Sequence, residues 1–177
     1  MQGLGKVRTW ERMLDADVTS SMRKSVEALE YISNPRTNKI RLDIEEALGG
    51  HSIAHHGSEI PLIEMDQRVL GTHPSMSQSR SALKFDNDLI HQNSVDQAFN
   101  HYKSEIKAHF DAGGGYKTWG PFETGGRIGE GYHNYSTRSN PIATPVTSSK
   151  VSIAFRPDSN HPNSFMLDSA YPKFVPQ

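Results

Sequence analysis

The residues best suited to chemistry lie in Gly49-Gly50-His51-Ser52-Ile53-Ala54-His55-His56, with Arg68 downstream and Ser169-Ala170-Tyr171-Pro172 near the C-terminus. Glycine allows backbone angles and close approaches that other residues resist. A helix starting directly after the Gly-Gly break would offer free amides and a positive dipole end beside His51, whose imidazole titrates near neutral pH. An anion next to a proton-transfer group points to phosphate chemistry. The plainer reading is that Gly49-Gly50 caps one short helix and His51 begins the next.

Each further candidate has a chemical and a structural reading. Arg68 would bind two oxygens of a phosphate and stabilise the extra charge of a phosphorane, or form a salt bridge with Glu64 one helical turn earlier. Ser169 and Tyr171 fall two apart on an expected strand, so both point to one side. They would donate to one phosphate, or belong to an edge strand ending at Pro172. His51 and His55 have the spacing of two ligands on one helix face. Ser52 stands where the zinc-protease pattern needs Glu, and no third ligand sits at a recognisable distance. Arg127, within the glycine-rich run 125–131, and His133 are secondary candidates for a cleft, and Lys173 is a further phosphate contact. That glycine-rich run has neither a Walker lysine nor a strand-to-helix context, which excludes a phosphate cradle of that type.

The same residues carry a resemblance. The run Glu45-Glu46-Ala47-Leu48-Gly49-Gly50-His51-Ser52-Ile53-Ala54-His55-His56-Gly57, the helix-like segment with Arg68 and the terminal Ser169-Ala170-Tyr171-Pro172 resemble the ribonuclease A-like C-terminal toxin domains of bacterial contact-dependent growth inhibition proteins. The resemblance spans residues 40–172 and implies a metal-independent endoribonuclease without a cofactor. Its substrate would be RNA, transfer RNA or RNA at large, cleaved by 2′-hydroxyl attack to leave 2′,3′-cyclic phosphate ends. The resemblance implies His51 as general base or acid, Arg68 as phosphorane stabiliser, and Ser169 and Tyr171 as phosphate-positioning groups; Arg127, His133 and Lys173 stay candidates for binding substrate on the residue reading alone. Serine stands at 169 where these toxins usually have threonine. The resemblance further implies a cognate immunity protein, export as the C-terminal part of a larger protein, and action in the target-cell cytoplasm. Two rival readings are a metal-dependent hydrolase using His51 and His55, and a noncatalytic interaction module.

Composition bounds these readings. The chain of 177 residues has a net charge of -1, unlike a domain that holds nucleic acid by bulk charge. Residues 51–100 hold three basic and six acidic side chains, and residues 101–177 hold eight and six, so a phosphate site is expected to be local and to draw on the C-terminal part. Without cysteine there is no disulfide and no thiolate zinc site. No apolar run approaches the ~18 residues of a membrane span.

The positioning elements follow from periodicity. Val7, Trp10, Leu14, Val18, Met22, Val26, Leu29 and Ile32 step by threes and fours, a long amphipathic helix or two joined helices. Asn34-Pro35 ends it, and residues 1–39 form an N-terminal arm or delivery-region remnant, with the toxin-like domain at 40–177. Leu62, Met65 and Val69 mark a helix with Pro61 in its first turn. A longer helix is expected to start at Asp88 or Asn93 and to stop at Gly113-Gly114-Gly115. Residues 116–135 crowd glycines and aromatics, as strands do. Residues 150–156 alternate like a half-buried strand, and residues 164–171 return as its antiparallel partner. Helices followed by strands predict an α+β fold, and the resemblance implies that it is two-lobed and ribonuclease A-like, here without disulfides.

Overall fold

The computed structural model describes residues 39–161 and 163–176. The helical stripe read over residues 7–32 lies outside them. Three short helices, α1 (Leu42–Ala47), α2 (Ser52–His56) and α3 (Leu62–Leu70), lead to strand β1 (Ser81–Phe85) and the long helix α4 (Asp88–Asp111). Five strands follow: β2 (Lys117–Glu123), β3 (Gly129–Asn134), β4 (Ala143–Ser148), β5 (Lys150–Pro157) and β6 (Phe165–Pro172). They form two three-stranded antiparallel sheets, ordered β1-β3-β4 and β2-β5-β6. The fold is α+β, as the order of the sequence patterns predicts.

Local signals set the helix limits. Asn87 caps α4, its side chain accepting the Ile90 amide at 2.8 Å, which fixes the start at the earlier of the two expected positions. Pro61 sits just before α3, and Gly71 closes that helix in the left-handed region at φ 77°, where glycine carries no steric penalty. Between α1 and α2, Gly49 takes φ 100°. A Cβ on Gly50 would lie 2.9 Å from both the Glu45 and Leu167 carbonyl oxygens. The double glycine is therefore where the helical segment presses against β6.

One apolar cluster joins α4 to the second sheet: Val95, Phe99, Ile106 and Phe110 pack with Trp119, Val151, Ile153, Phe155, Phe165 and Leu167. Burying each such side chain contributes ~1.5–3 kcal/mol, which has to hold the chain together in place of disulfides. A smaller cluster of Met65, Val69 and Ala82 seats α3 on the first sheet.

Three details differ from the sequence reading. β5 is not half-buried: every residue from 151 to 155 is enclosed, because β5 is the middle strand between β2 and β6 and its second face carries the small Ser152 and Ala154. β1 follows the polar residues 71–80, and its short mixed sequence does not mark it as a strand. β4 was masked by its proline and hydroxyl content, and Pro145 is tolerated because β4 is an edge strand.

Candidate active site

α2 is pinned to β6 by its first residues. The His51 amide donates to the Asp168 carbonyl at 2.9 Å. The buried Ser52 hydroxyl donates to the Ala170 carbonyl at 3.0 Å and accepts the Ala170 amide at 3.2 Å. It also lies 2.8 Å from His91 Nε2 on α4. A single serine thus ties together the helix that carries the histidines, the strand that carries Tyr171 and the long core helix. Sequence reading saw Ser52 only as the residue that breaks a zinc motif.

The anion site expected at the start of α2 is occupied from within the chain. Both carboxylate oxygens of Glu46 accept amides there, Ile53 at 2.9 Å and Ala54 at 2.8 Å. That is ordinary helix capping by an acidic side chain, so any phosphate must be held by side chains.

Those side chains gather around a hollow of about 850 Å³ whose walls include His55, His56, Glu64, Arg68 and His73. Arg68 projects from α3 and is only 5% exposed. Its Nη1 donates to the His55 carbonyl at 2.6 Å, and Nη2 is 3.8 Å from a Glu64 oxygen. Its buried Nε–H has no hydrogen-bond partner among the described residues. Burial pulls its pKa below the ordinary value, and Glu64 works the other way, yet a guanidinium keeps its charge at any physiological pH. Arg68 is therefore a buried, under-partnered cation that keeps the Glu64 ion pair of the plainer reading, although not at the surface.

His56 stands in the same wall. Its Nδ1 donates to the Leu83 carbonyl at 2.8 Å, which leaves Nε2 with a free lone pair. Enclosure by protein pushes its pKa down to about 3, with Arg68 and His55 acting in the same direction against the Leu83 bond. Its ring lies 5.4 Å from that of Tyr171. Burial, then the neighbouring Tyr116, raise the Tyr171 pKa, opposed by hydrogen bonds from the side chains of Ser152 and Thr118. Tyr171 accordingly keeps its proton at neutral pH. Ser169, on the same strand, is buried and opposite Ala154.

His51 does not line this hollow. Its Nε2 is 3.8 Å from an Asp168 oxygen, and its ring lies 4.6 Å from that of His55. Asp168 reaches this position because β6 bulges there: Ser169 pairs with Ala154 and Leu167 with Phe155, which leaves Asp168 without a cross-strand partner. Asp168 is also 3.5 Å from Arg156 Nε. Among the described residues no group of three His, Asp or Glu is placed to hold a metal ion.

The other expected binding residues lie elsewhere. Arg127 is exposed and engaged with carboxylates, 2.9 Å from each Asp86 oxygen and 2.9 Å from Glu130. His133 is buried on β3, with Nδ1 2.6 Å from the Ser81 hydroxyl. Lys173 lines a separate hollow with Lys150. The structure brings Arg68 and Tyr171 to His56, places His51 beside His55 and Asp168, and leaves Arg127 and Lys173 outside. His56 was legible only as the second of two adjacent histidines, and only the end of α2 decides which of them turns inward.

The two enclosed histidines make the fold acid-sensitive. His91, stacked on Phe85 at 3.9 Å, is pushed by burial to about 4, and His56 to about 3, against ~6.5 in an unfolded chain. Their folded values are depressed, so below ~6.5 the unfolded state takes up protons that the folded state refuses, and stability falls as pH falls. Urea unfolding should therefore show a loss of stability from pH 7 towards 4, and His91→Phe should make that slope shallower. An unchanged slope in the variant would contradict the buried neutral ring.

No family model matches the chain, and no curated protein matches it. Among solved structures, one chain in the crystal structure of a CdiA-CT/CdiI complex from Y. kristensenii 33638 is similar, with a TM-score of 0.55 and 20% sequence identity. The likeness covers 70% of this chain and 99% of that one, and what the two share is the fold.

Proposed function

We propose that the chain is a metal-independent endoribonuclease toxin of the contact-dependent growth inhibition type. The observation that carries this reading is the buried guanidinium of Arg68, under-partnered among the described residues, in one hollow with an imidazole whose Nε2 carries the lone pair. A cation in that setting suits a phosphodiester, and a neutral imidazole beside it suits removal of a proton. The likeness to a chain from a CdiA-CT/CdiI complex supports the toxin setting.

In the proposed reaction, Nε2 of His56 takes the proton of a ribose 2′-hydroxyl as its oxygen attacks the adjacent phosphorus. The incoming phosphate raises the low pKa of His56 by supplying the negative charge that its surroundings lack. Arg68 stabilises the phosphorane as charge accumulates. Tyr171, holding its proton, and Ser169 orient the phosphate, and the phenol can donate to the departing 5′-oxygen. The products are a 2′,3′-cyclic phosphate and a 5′-hydroxyl end. The sequence pointed first to His51 as the base. The geometry favours His56, which faces Tyr171 and shares a hollow with Arg68, and leaves His51 beside Asp168.

A toxin of this kind requires a cognate immunity protein, acidic where it covers the Arg68 hollow, because it must stand in for RNA phosphate. It would travel as the C-terminal part of a larger exported protein and act in the cytoplasm of the target cell. The test is an oligoribonucleotide in which one nucleotide lacks its 2′-hydroxyl. Cleavage is expected to vanish 3′ to that nucleotide and persist elsewhere, whereas cleavage at the deoxy position would mean hydrolysis by water.

A further inference from the structure

A second hollow, of about 750 Å³, lies between the end of β4, the start of β5 and the segment that follows β6. Its volume falls in the ~300–1,000 Å³ range of small-ligand sites. None of the residues that line it lines the Arg68 hollow. Two lysines, an exposed tyrosine and a phenylalanine dominate its walls: Lys150, Lys173, Tyr135 and Phe174.

Its construction is rigid. The Ser148 hydroxyl donates to the carbonyls of both Lys150, at 3.1 Å, and Lys173, at 2.8 Å, and the Lys173 amide donates to the Lys150 carbonyl at 2.7 Å. Two cationic side chains therefore leave the backbone from adjacent, fixed points. Glu123 pairs with Lys150 across β2 and β5 and offsets part of its charge, whereas Lys173 is exposed. The aromatic wall is braced too. The Tyr135 ring stands edge-on to Phe174, with centroids 6.2 Å apart at 85°. His133 fills in behind them at 4.5 Å from Tyr135 and 5.1 Å from Phe174. Tyr135 is nonetheless 56% exposed. A large planar side chain held in place yet left open, next to two ammonium groups, is what base stacking with an adjacent phosphate requires.

The hollow is also connected to the proposed reaction centre. Lys173 lies two residues beyond Tyr171 on the same chain segment. Ser81 lines the Arg68 hollow, and its hydroxyl meets His133 at 2.6 Å, the ring that backs Tyr135 and Phe174.

We propose that the Tyr135–Phe174–Lys150–Lys173 hollow is a nucleotide subsite of the same enzyme, stacking one base of single-stranded RNA on Tyr135 and holding its phosphate between the two lysines. This rests on the ribonuclease reading of the Arg68 hollow and adds the class of substrate: a single strand several nucleotides long, gripped at a distance from the cut. It also explains how a chain of net charge -1 holds RNA, through two local cationic points and not a basic face.

The test compares a dinucleotide with a single-stranded hexanucleotide as substrates for the wild type, Tyr135→Ala, Tyr135→Phe and the Lys150→Ala/Lys173→Ala double variant. The substituted side chains are exposed or partly so, and circular dichroism checks that each variant is folded. Tyr135→Ala and the double variant should lose about tenfold or more in kcat/KM on the hexanucleotide, through KM, the order that loss of one base stack carries. On the dinucleotide they should match the wild type, and Tyr135→Phe should match it on both. Equal losses on the two substrates, or no loss on either, would overturn the subsite. Binding of a 2′-O-methyl hexanucleotide, followed by fluorescence anisotropy, separates the two proposals. If the wild type cleaves nothing but binds this strand and Tyr135→Ala does not, the ribonuclease reading fails while a single-strand site survives. Equal binding by both proteins overturns the site itself.

Discussion

His56→Ala is expected to lower the single-turnover rate of RNA cleavage by about a hundredfold or more, the contribution of a positioned general base. The same substitution at His51 should cost several-fold less. The difference follows from placement. His56 gives its Nδ1 proton to the Leu83 carbonyl, faces Tyr171 and shares a hollow with Arg68. His51 is half-buried, does not line that hollow and is turned towards Asp168. Because His56 is packed against β1 and β6, His56→Asn accompanies it as a control that can keep the Leu83 contact while removing the base. Equal losses at His51 and His56 would mean that both rings handle protons, and a larger loss at His51 would move the base to that residue.

Arg68→Ala is expected to cost about a hundred- to a thousandfold in kcat, as removal of a group aimed at developing transition-state charge does. Arg68→Lys should recover only part of this, because an ammonium is a point charge and cannot bridge two phosphate oxygens. The readout that separates this from a structural role is the division between kcat and stability. Arg68 also holds the His55 carbonyl at 2.6 Å, so some destabilisation is expected in both variants. A structural role alone would give losses in rate that track the melting temperature, and kcat corrected for the folded fraction would then be unchanged.

What the sequence revealed and concealed has a physical pattern. Periodicity exposed α3 and α4, because each buries a regular face, and the apolar positions of residues 150–156 and 164–171 exposed the β5–β6 hairpin, although β5 is enclosed on both faces. β1 and β4 carry no such signal, since they are edge strands with mixed or proline-containing stretches. The Gly-Gly-His run was readable as a place where backbones meet, and Gly50 does sit against Leu167. It was not readable as the place where Glu46 caps α2, because that choice depends on a side chain reaching back across the turn. Arg68 stood out by type, but the lack of a full set of partners appears only once α3 is packed on the first sheet. Asp168 gave no signal at all: a bulge in β6 puts it beside His51, and an extra residue in a strand leaves no mark in hydrophobic alternation.

The most direct test of the proposed chemistry is the identity of the ends that RNA acquires. Purified protein incubated with RNA in excess chelator, wild type beside His56→Ala, should yield 2′,3′-cyclic phosphate and 5′-hydroxyl ends with the wild type and intact RNA with the variant. RNA left intact by the wild type until a divalent metal is restored, or 5′-phosphate ends on its products, would contradict a metal-independent attack by the 2′-hydroxyl.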